Sequence, residues 1–270
     1  QKIGSLMRNN QEIILNSRHG WLGWWPRTGI KAIIDPENAR IFEFLVEQRQ
    51  KMVDQSYVLD AGAGEQPYKR IFDGLNYEST DMPRGFYKRK HDFECELHDI
   101  PKPNDHYDVV VLTQVLEHVP DPQATLSEIY RVLKPNGKLL ISVPLNGPLH
   151  GEPWHFFQFT HYGLNQLALN TGFHITEIEK IGGAFWLIGK RLSIAFSQLL
   201  KQYDPFRAKK RGQNVVFSTL MSFLLLPTWF IFYLPAAYII RPFFYWLDYL
   251  DRQKIFTTGY TAVFIKNMNK

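Results

Sequence analysis

Cysteine is nearly absent: Cys95 is the only one in 270 residues. That excludes an internal disulfide framework and fits a reducing compartment. The opening stretch, Gln1 to Asn16, lacks an apolar run of about 7–15 residues, so no secretory leader is expected there. Internal repeats and low-complexity tracts are also missing. The dinucleotide fingerprint G-x-G-x-x-G is incomplete, because Pro67 stands where its third glycine would fall. One further absence is local. Between Val215 and Ile240 there is no charged residue.

What remains is the composition of a globular protein with a sizeable core, 45% hydrophobic and 21% charged. The length suits one large domain, or one domain with an elaboration. A net charge of +5 points to an anionic surface as partner. Nucleic acid is not expected, because the basic residues cluster beside apolar segments rather than groove-reading ones.

The stretch Ser56 to Pro67 organises the chain. Tyr57 to Asp60 reads as an apolar strand running into a tight turn with Gly62 and Gly64. Glycine lets the backbone bend sharply and lets a ligand approach without meeting a Cβ. A helix is expected from about Tyr68 to Phe72. Further strands are expected at Asn76–Thr80 (ending at Asp81), His91–Leu97, Tyr107–Leu112, Lys138–Val143 and Phe173–Ile181. Helices are expected from Pro36 to about Met52, from the Asp121-Pro122 cap, and from the Thr160 cap to Asn170, ending at Gly172. Pro135-Asn136-Gly137 reads as a turn. This order describes an α/β doubly wound sheet. Residues 1 to 35, with Trp21, Leu22, Trp24 and Trp25 ending at Pro26, suggest an N-terminal flap, a lid or an interfacial anchor.

Four stretches together resemble class I S-adenosylmethionine-dependent methyltransferases. They are Val58-Leu59-Asp60-Ala61-Gly62-Ala63-Gly64, Tyr107-Asp108-Val109-Val110-Val111, Gln114 through Pro122, and Leu133-Lys134-Pro135-Asn136-Gly137-Lys138-Leu139. The resemblance runs from about residue 55 to 182 and resumes at Tyr260-Thr261-Ala262-Val263-Phe264-Ile265. It implies a Rossmann-like seven-stranded sheet with helices on both faces. The antiparallel last strand would be slotted between the fifth and sixth. It also implies S-adenosyl-L-methionine as cofactor. Asp60, Ala61, Gly62 and Gly64 would lie under the methionine moiety and Asp81 would take the ribose hydroxyls. Glu96 and Leu97 would meet the adenine, and Gln114 would floor the sulfonium. Phe156 through Leu164 resembles a segment of methyltransferases of glycan-biosynthesis type.

An oxygen acceptor needs a general base near neutral pKa, which histidine serves best. Candidates are His118, His150 and His155. Their spacing matches no standard metal-ligand pattern, so no metal is assigned.

About 75 residues, Gly182 to Thr258, separate the expected sixth and seventh strands. Val215 to Ile240 is long enough to span a bilayer. Yet a single crossing would strand the last strand on the wrong side. Pro227 and Pro235 would bend the run, giving a re-entrant hairpin or helices lying in the interface. Lys201, Arg207, Lys209, Lys210 and Arg211 precede it and suit an anionic cytoplasmic leaflet. The expected organisation is an N-terminal flap and helix (1–54), a cofactor-binding domain (55–182 plus 259–270) and a hydrophobic helical insertion (183–258). The expected function is O-methylation of a membrane-borne, lipid-linked saccharide at the cytoplasmic face. A quinone or other small hydrophobic acceptor, and a non-catalytic membrane scaffold, are the alternatives.

Overall fold

The computed structural model describes residues 35–83 and 88–267. The expected aromatic flap falls outside the described residues. The described chain divides into two compact units, one of residues 37–181 and 258–267, the other essentially 182–257.

The first unit is a seven-stranded sheet in the order β3-β2-β1-β4-β5-β7-β6. Its strands are β1 (Tyr57–Ala61), β2 (Asn76–Asp81), β3 (Phe93–Glu94), β4 (Tyr107–Thr113), β5 (Leu133–Pro144), β6 (Phe173–Ile181) and β7 (Gly259–Lys266). Strands β1 to β5 pair in parallel, and β7 runs antiparallel between β5 and β6, as the resemblance implied. Three helices cover it: α1 (Pro36–Gln50), α2 (Pro122–Val132) and α3 (His161–Thr171). Alternation along the strands splits the core by face. Val110, Leu112, Leu139 and Ile141 pack with Leu126 and Ile129 of α2 and Leu164 of α3. Val109, Val111, Leu140 and Val263 pack with Ile41 and Leu45 of α1.

The helix caps follow the sequence. Asp121 Oδ1 accepts from the Ala124 N–H, Thr160 Oγ1 from the Gly163 N–H, and Gly172 closes α3 at φ +90°. Three expected elements differ. The helix after the glycine turn is only a 3-10 turn, Lys69–Phe72. The connection from β1 to β2 is short, and the glycine turn uses its first part, so no longer helix fits. The third strand shrinks to Phe93–Glu94, leaving Glu96 and Leu97 beyond it. The Pro135–Gly137 turn is absorbed into a bulged start of β5, with Asn136 at φ +61°.

The second unit is a helical hairpin. Helix α4 (Ala184–Gln202) leads through α5 (Pro205–Lys210) into α6 (Val215–Thr228). Two π-helical turns, Trp229–Tyr233 and Ala236–Ile240, then α7 (Arg241–Leu247) continue the same helical run to Leu250. Stacking of Phe196 on Phe232 and contact of Trp186 with Tyr245 set α4 antiparallel to that run. The expected bend at Pro227 and Pro235 is therefore replaced. The π turns rewind the helix around its prolines, and the reversal falls at residues 203–214, among the basic residues. The base of the hairpin is closed by acids: Asp248 Oδ1 accepts from the Gly183 and Trp186 N–H groups, and Asp251 Oδ2 from that of Ala184. Helix α4 thus has its N-terminal donors satisfied by carboxylates from the far arm.

A Cβ on Gly259 would lie 2.5 Å from the Val143 carbonyl oxygen, in backbone that cannot yield. Gly259→Ala is expected to cost about 1–3 kcal/mol by overpacking at the β5–β7 pairing, read from urea denaturation.

Candidate active site

The site residues gather at the carboxyl ends of the parallel strands, where open α/β sheets hold ligands. The glycine turn is sewn to β2. The Gly62 and Ala63 N–H groups both donate to the Thr80 carbonyl, at 2.9 and 3.0 Å. Gly64 N–H donates to Asp81 Oδ2 at 2.8 Å, and the Gly64 carbonyl faces His91 Nε2 at 2.9 Å. Gly62 sits at φ +73°, and a Cβ there would lie 2.5 Å from Val115. A side chain at that position is strained and crowded together.

Asp60 is 2% exposed, and its Oδ2 accepts from the Tyr77 hydroxyl at 2.7 Å. Burial pushes its carboxyl up from the ordinary 3.8 to about 6; Tyr77 opposes the rise and Asp81 adds to it. Asp81 is buried at the end of β2, with Oδ1 also accepting from the Met82 N–H. A carboxylate has about four lone-pair positions, so these two bonds leave acceptor capacity. Ala61 is buried at the end of β1, and Leu97 belongs to the core cluster beside Cys95 and Ile100. Glu96 is half-buried at the turn that follows β3. Gln114 ends β4 at φ +54°, rare for a non-glycine residue. Its N–H donates to the Ser142 carbonyl and its side-chain amide to Ser142 Oγ.

The three candidate histidines come together. His118 Nε2 and His150 Nε2 are 3.0 Å apart, and the His155 ring lies 4.4 Å from that of His150. His118 Nδ1 donates to the Trp154 carbonyl at 2.6 Å and His150 Nδ1 to the Pro148 carbonyl at 3.0 Å. His155 Nδ1 accepts from the His150 N–H. Burial lowers the His118 pKa, the Trp154 carbonyl opposes that, and His150 and His155 add to it.

Sequence reasoning missed two residues. Tyr77 shares a strand face with Ser79 and Asp81 by the two-residue period, a signal that was available. Glu117, between Leu116 and His118, is fully buried with neither carboxyl oxygen hydrogen-bonded. Burial pushes it up to about 8. Its backbone carbonyl accepts from the Phe156 N–H, tying the histidine loop to the end of β4.

Because the folded state raises the Asp60 pKa, this group's stabilisation is complete below pH ~4 and is lost as pH rises to about 6. Asp60→Asn is therefore expected to exceed the native chain in stability at pH 7, by up to about 3 kcal/mol, with no gain near pH 4. Denaturant titrations across that range read the difference.

A family profile described as "Methyltransferase domain" matches residues 33–181. A probable S-adenosylmethionine-dependent methyltransferase of Mycolicibacterium smegmatis is 32% identical over 145 residues, 47% of this chain and 54% of that protein. The ubiquinone/menaquinone biosynthesis C-methyltransferase UbiE of Psychromonas ingrahamii is 35% identical over 69 residues, 24% of this chain and 27% of its own. The chain thus spans about half, or less, of the length of these curated relatives. Among solved structures, a Galdieria sulphuraria protein assigned as a sarcosine dimethylglycine methyltransferase superposes with a TM-score of 0.52 at 15% identity. That match covers 96% of this chain and 97% of the other. The (4+2)-cyclase SpnF superposes at 0.51 and 16% identity, over 98% and 93%. The two likenesses show the fold alone, as the cyclase among them illustrates. With the glycine turn, the acid ending β2 and a profile spanning more than half the residues, the chain belongs to the methyltransferase-domain family, the class I S-adenosylmethionine-dependent methyltransferases.

Proposed function

We propose that this chain transfers the methyl group of S-adenosyl-L-methionine to an oxygen of a membrane-borne acceptor, a lipid-linked saccharide or glycan intermediate. The residues present fit the cofactor. The Gly62–Gly64 turn is held at the end of β1 by bonds to β2, and Asp81 keeps lone pairs for ribose hydroxyls. When bound, the cofactor supplies an activated methyl on a sulfonium. The protein's task is then alignment, water exclusion and the acceptor's proton. The histidine cluster suits the proton. Both Nδ1 atoms of His118 and His150 donate to carbonyls, so Nε2 carries the lone pair. The lowered His118 pKa keeps that lone pair available at neutral pH.

The membrane part rests on one observation: the hairpin exposes a broad apolar surface. Val216, Leu220, Phe223, Leu224, Ile231 and Ile239 are each more than 60% exposed. Phe230–Leu250 is 21 residues long and apolar enough to cross a bilayer. Against a crossing, the insertion begins and ends at one point. The Thr258 N–H donates to the Ile181 carbonyl at 2.9 Å. Lys190 and Arg191 also stand near the middle of α4, where a spanning helix would hold them at costly depth. A hairpin lying in the interface reconciles these facts. The basic reversal, with Arg207, Lys209, Lys210 and Arg211, then meets anionic headgroups of the cytoplasmic leaflet.

A quinone acceptor is the second reading, favoured by the UbiE relative. Incubation with membrane extracts and methyl-labelled cofactor separates the two. Label is expected in the glycolipid fraction; label confined to the quinone fraction would reverse the order of these readings.

The triple variant Leu220→Glu, Phe223→Glu, Leu224→Glu alters exposed side chains and should leave thermal unfolding unchanged. Its partition onto vesicles with about 30% anionic lipid is expected to fall at least about tenfold, as several apolar contacts are lost. Equal flotation of variant and native chain would remove the hairpin from membrane binding.

A further inference from the structure

Three potential ligand atoms converge at the end of β4. His118 and His150 each spend Nδ1–H on a backbone carbonyl, so in the neutral rings both Nε2 atoms carry lone pairs, and they lie 3.0 Å apart. Glu117 Oε1 lies 3.9 Å from the first and 4.0 Å from the second. The glutamate is fully buried, and neither of its oxygens has a hydrogen-bond partner. A buried carboxyl with no hydrogen-bond partner beside two imidazole nitrogens is a set of ligand atoms without a resident partner. An ion at the centre would engage all three, releasing the carboxyl proton as it binds.

The dimensions agree. The point equidistant from the three atoms lies in their plane, about 2.1 Å from each, given edges of 3.0, 3.9 and 4.0 Å; a tetrahedral ion would require the two glutamate edges to close toward about 3.4 Å. Zinc bonds to imidazole nitrogen and carboxylate oxygen span about 2.0–2.2 Å. The outer arrangement agrees as well. Metal-bound histidines donate their second N–H to a carbonyl or carboxylate, which fixes the ring and the tautomer. Here Trp154 and Pro148 supply those carbonyls.

We infer that Glu117, His118 and His150 form a binding site for one divalent transition ion of the zinc class, which two imidazoles and a carboxylate suit. Three protein ligands leave the fourth position open, the pattern of catalytic rather than structural zinc. Solvent reaches the cluster at His150, whose side chain is half-exposed. His155 packs against both rings, 4.4 and 5.5 Å away, and acts as a positioning residue. With an ion bound, both Nε2 lone pairs are spent on it, so the site would replace the histidine base of the methyltransferase reading above: the ion would lower the pKa of an acceptor hydroxyl in the open position, and its proton would pass to solvent. Occupancy of the site does not depend on that reading.

The test uses the full, untagged chain, stripped with chelator, loaded with zinc or cobalt(II) and desalted. Elemental analysis is expected to give about one zinc per chain, and cobalt(II) an absorption band of a low-coordinate nitrogen–oxygen site. Glu117→Gln and His150→Gln are expected to lose more than about 100-fold in zinc affinity, beyond the about 10–100-fold that outer partners cost. His174→Gln, exposed on β6, should bind as the native chain does. Thermal unfolding of each stripped variant shows that it is folded, and calorimetry with S-adenosyl-L-methionine reads the cofactor site separately. A native chain that holds no stoichiometric zinc at micromolar free metal, or cluster variants that hold it equally well, would overturn the site. Zinc binding without cofactor binding would leave the site standing and remove the methyltransferase reading instead.

Discussion

Thr258 fixes the topology. Its N–H and hydroxyl both donate to the Ile181 carbonyl, and its own carbonyl accepts from the Leu145 and Asn146 N–H groups. One fully buried residue thereby joins the end of β6, the start of β7 and the segment leaving β5. These bonds put the two ends of a 76-residue excursion, 182–257, at one place. They also set the register in which Gly259 pairs with Pro144 and Ile181. In a sheet buried on both faces, each backbone polar group must find a partner inside the fold. The antiparallel seventh strand meets that demand for its neighbours on both sides.

The strand ends divide their work by charge. On the β1–β2 side, Asp60 and Asp81 are held by Tyr77 and by the N–H groups of Gly64 and Met82. Backbone and tyrosine donors there fix both carboxyl groups at the strand ends. On the β4–β5 side, two imidazole nitrogens lie 3.0 Å apart beside a buried carboxyl whose oxygens have no hydrogen-bond partner. The first arrangement is held by hydrogen bonds within the fold, and in the second the Glu117 carboxyl has none.

Much of this was legible in the sequence. The buried run Tyr107–Leu112, the Asp121 and Thr160 caps and the Gly62–Gly64 turn each encode structure within a few residues, so local chemistry sufficed. The slot of β7 came through family resemblance, since pairing across more than 100 residues leaves no local mark. Glu117 was unreadable as a candidate because what marks it is burial, which arises from the tertiary fold, including the loop whose Phe156 and Phe157 N–H groups bond its carbonyl. The hairpin reversal was misplaced for a related reason. Pro227 and Pro235 are helix breakers by propensity, yet α4 packed alongside favours a rewound helix over a bend.

The carboxylates of Asp248 and Asp251, closing over the N-terminus of α4, carry an evolutionary consequence. The excursion seals its own base, and the host sheet seals the gap it leaves with Thr258. Neither requires the other's side chains for its first hydrogen bonds. Ancestral sheets of this kind could gain, trade or discard such an appendage through a single gene insertion at a strand-to-strand junction.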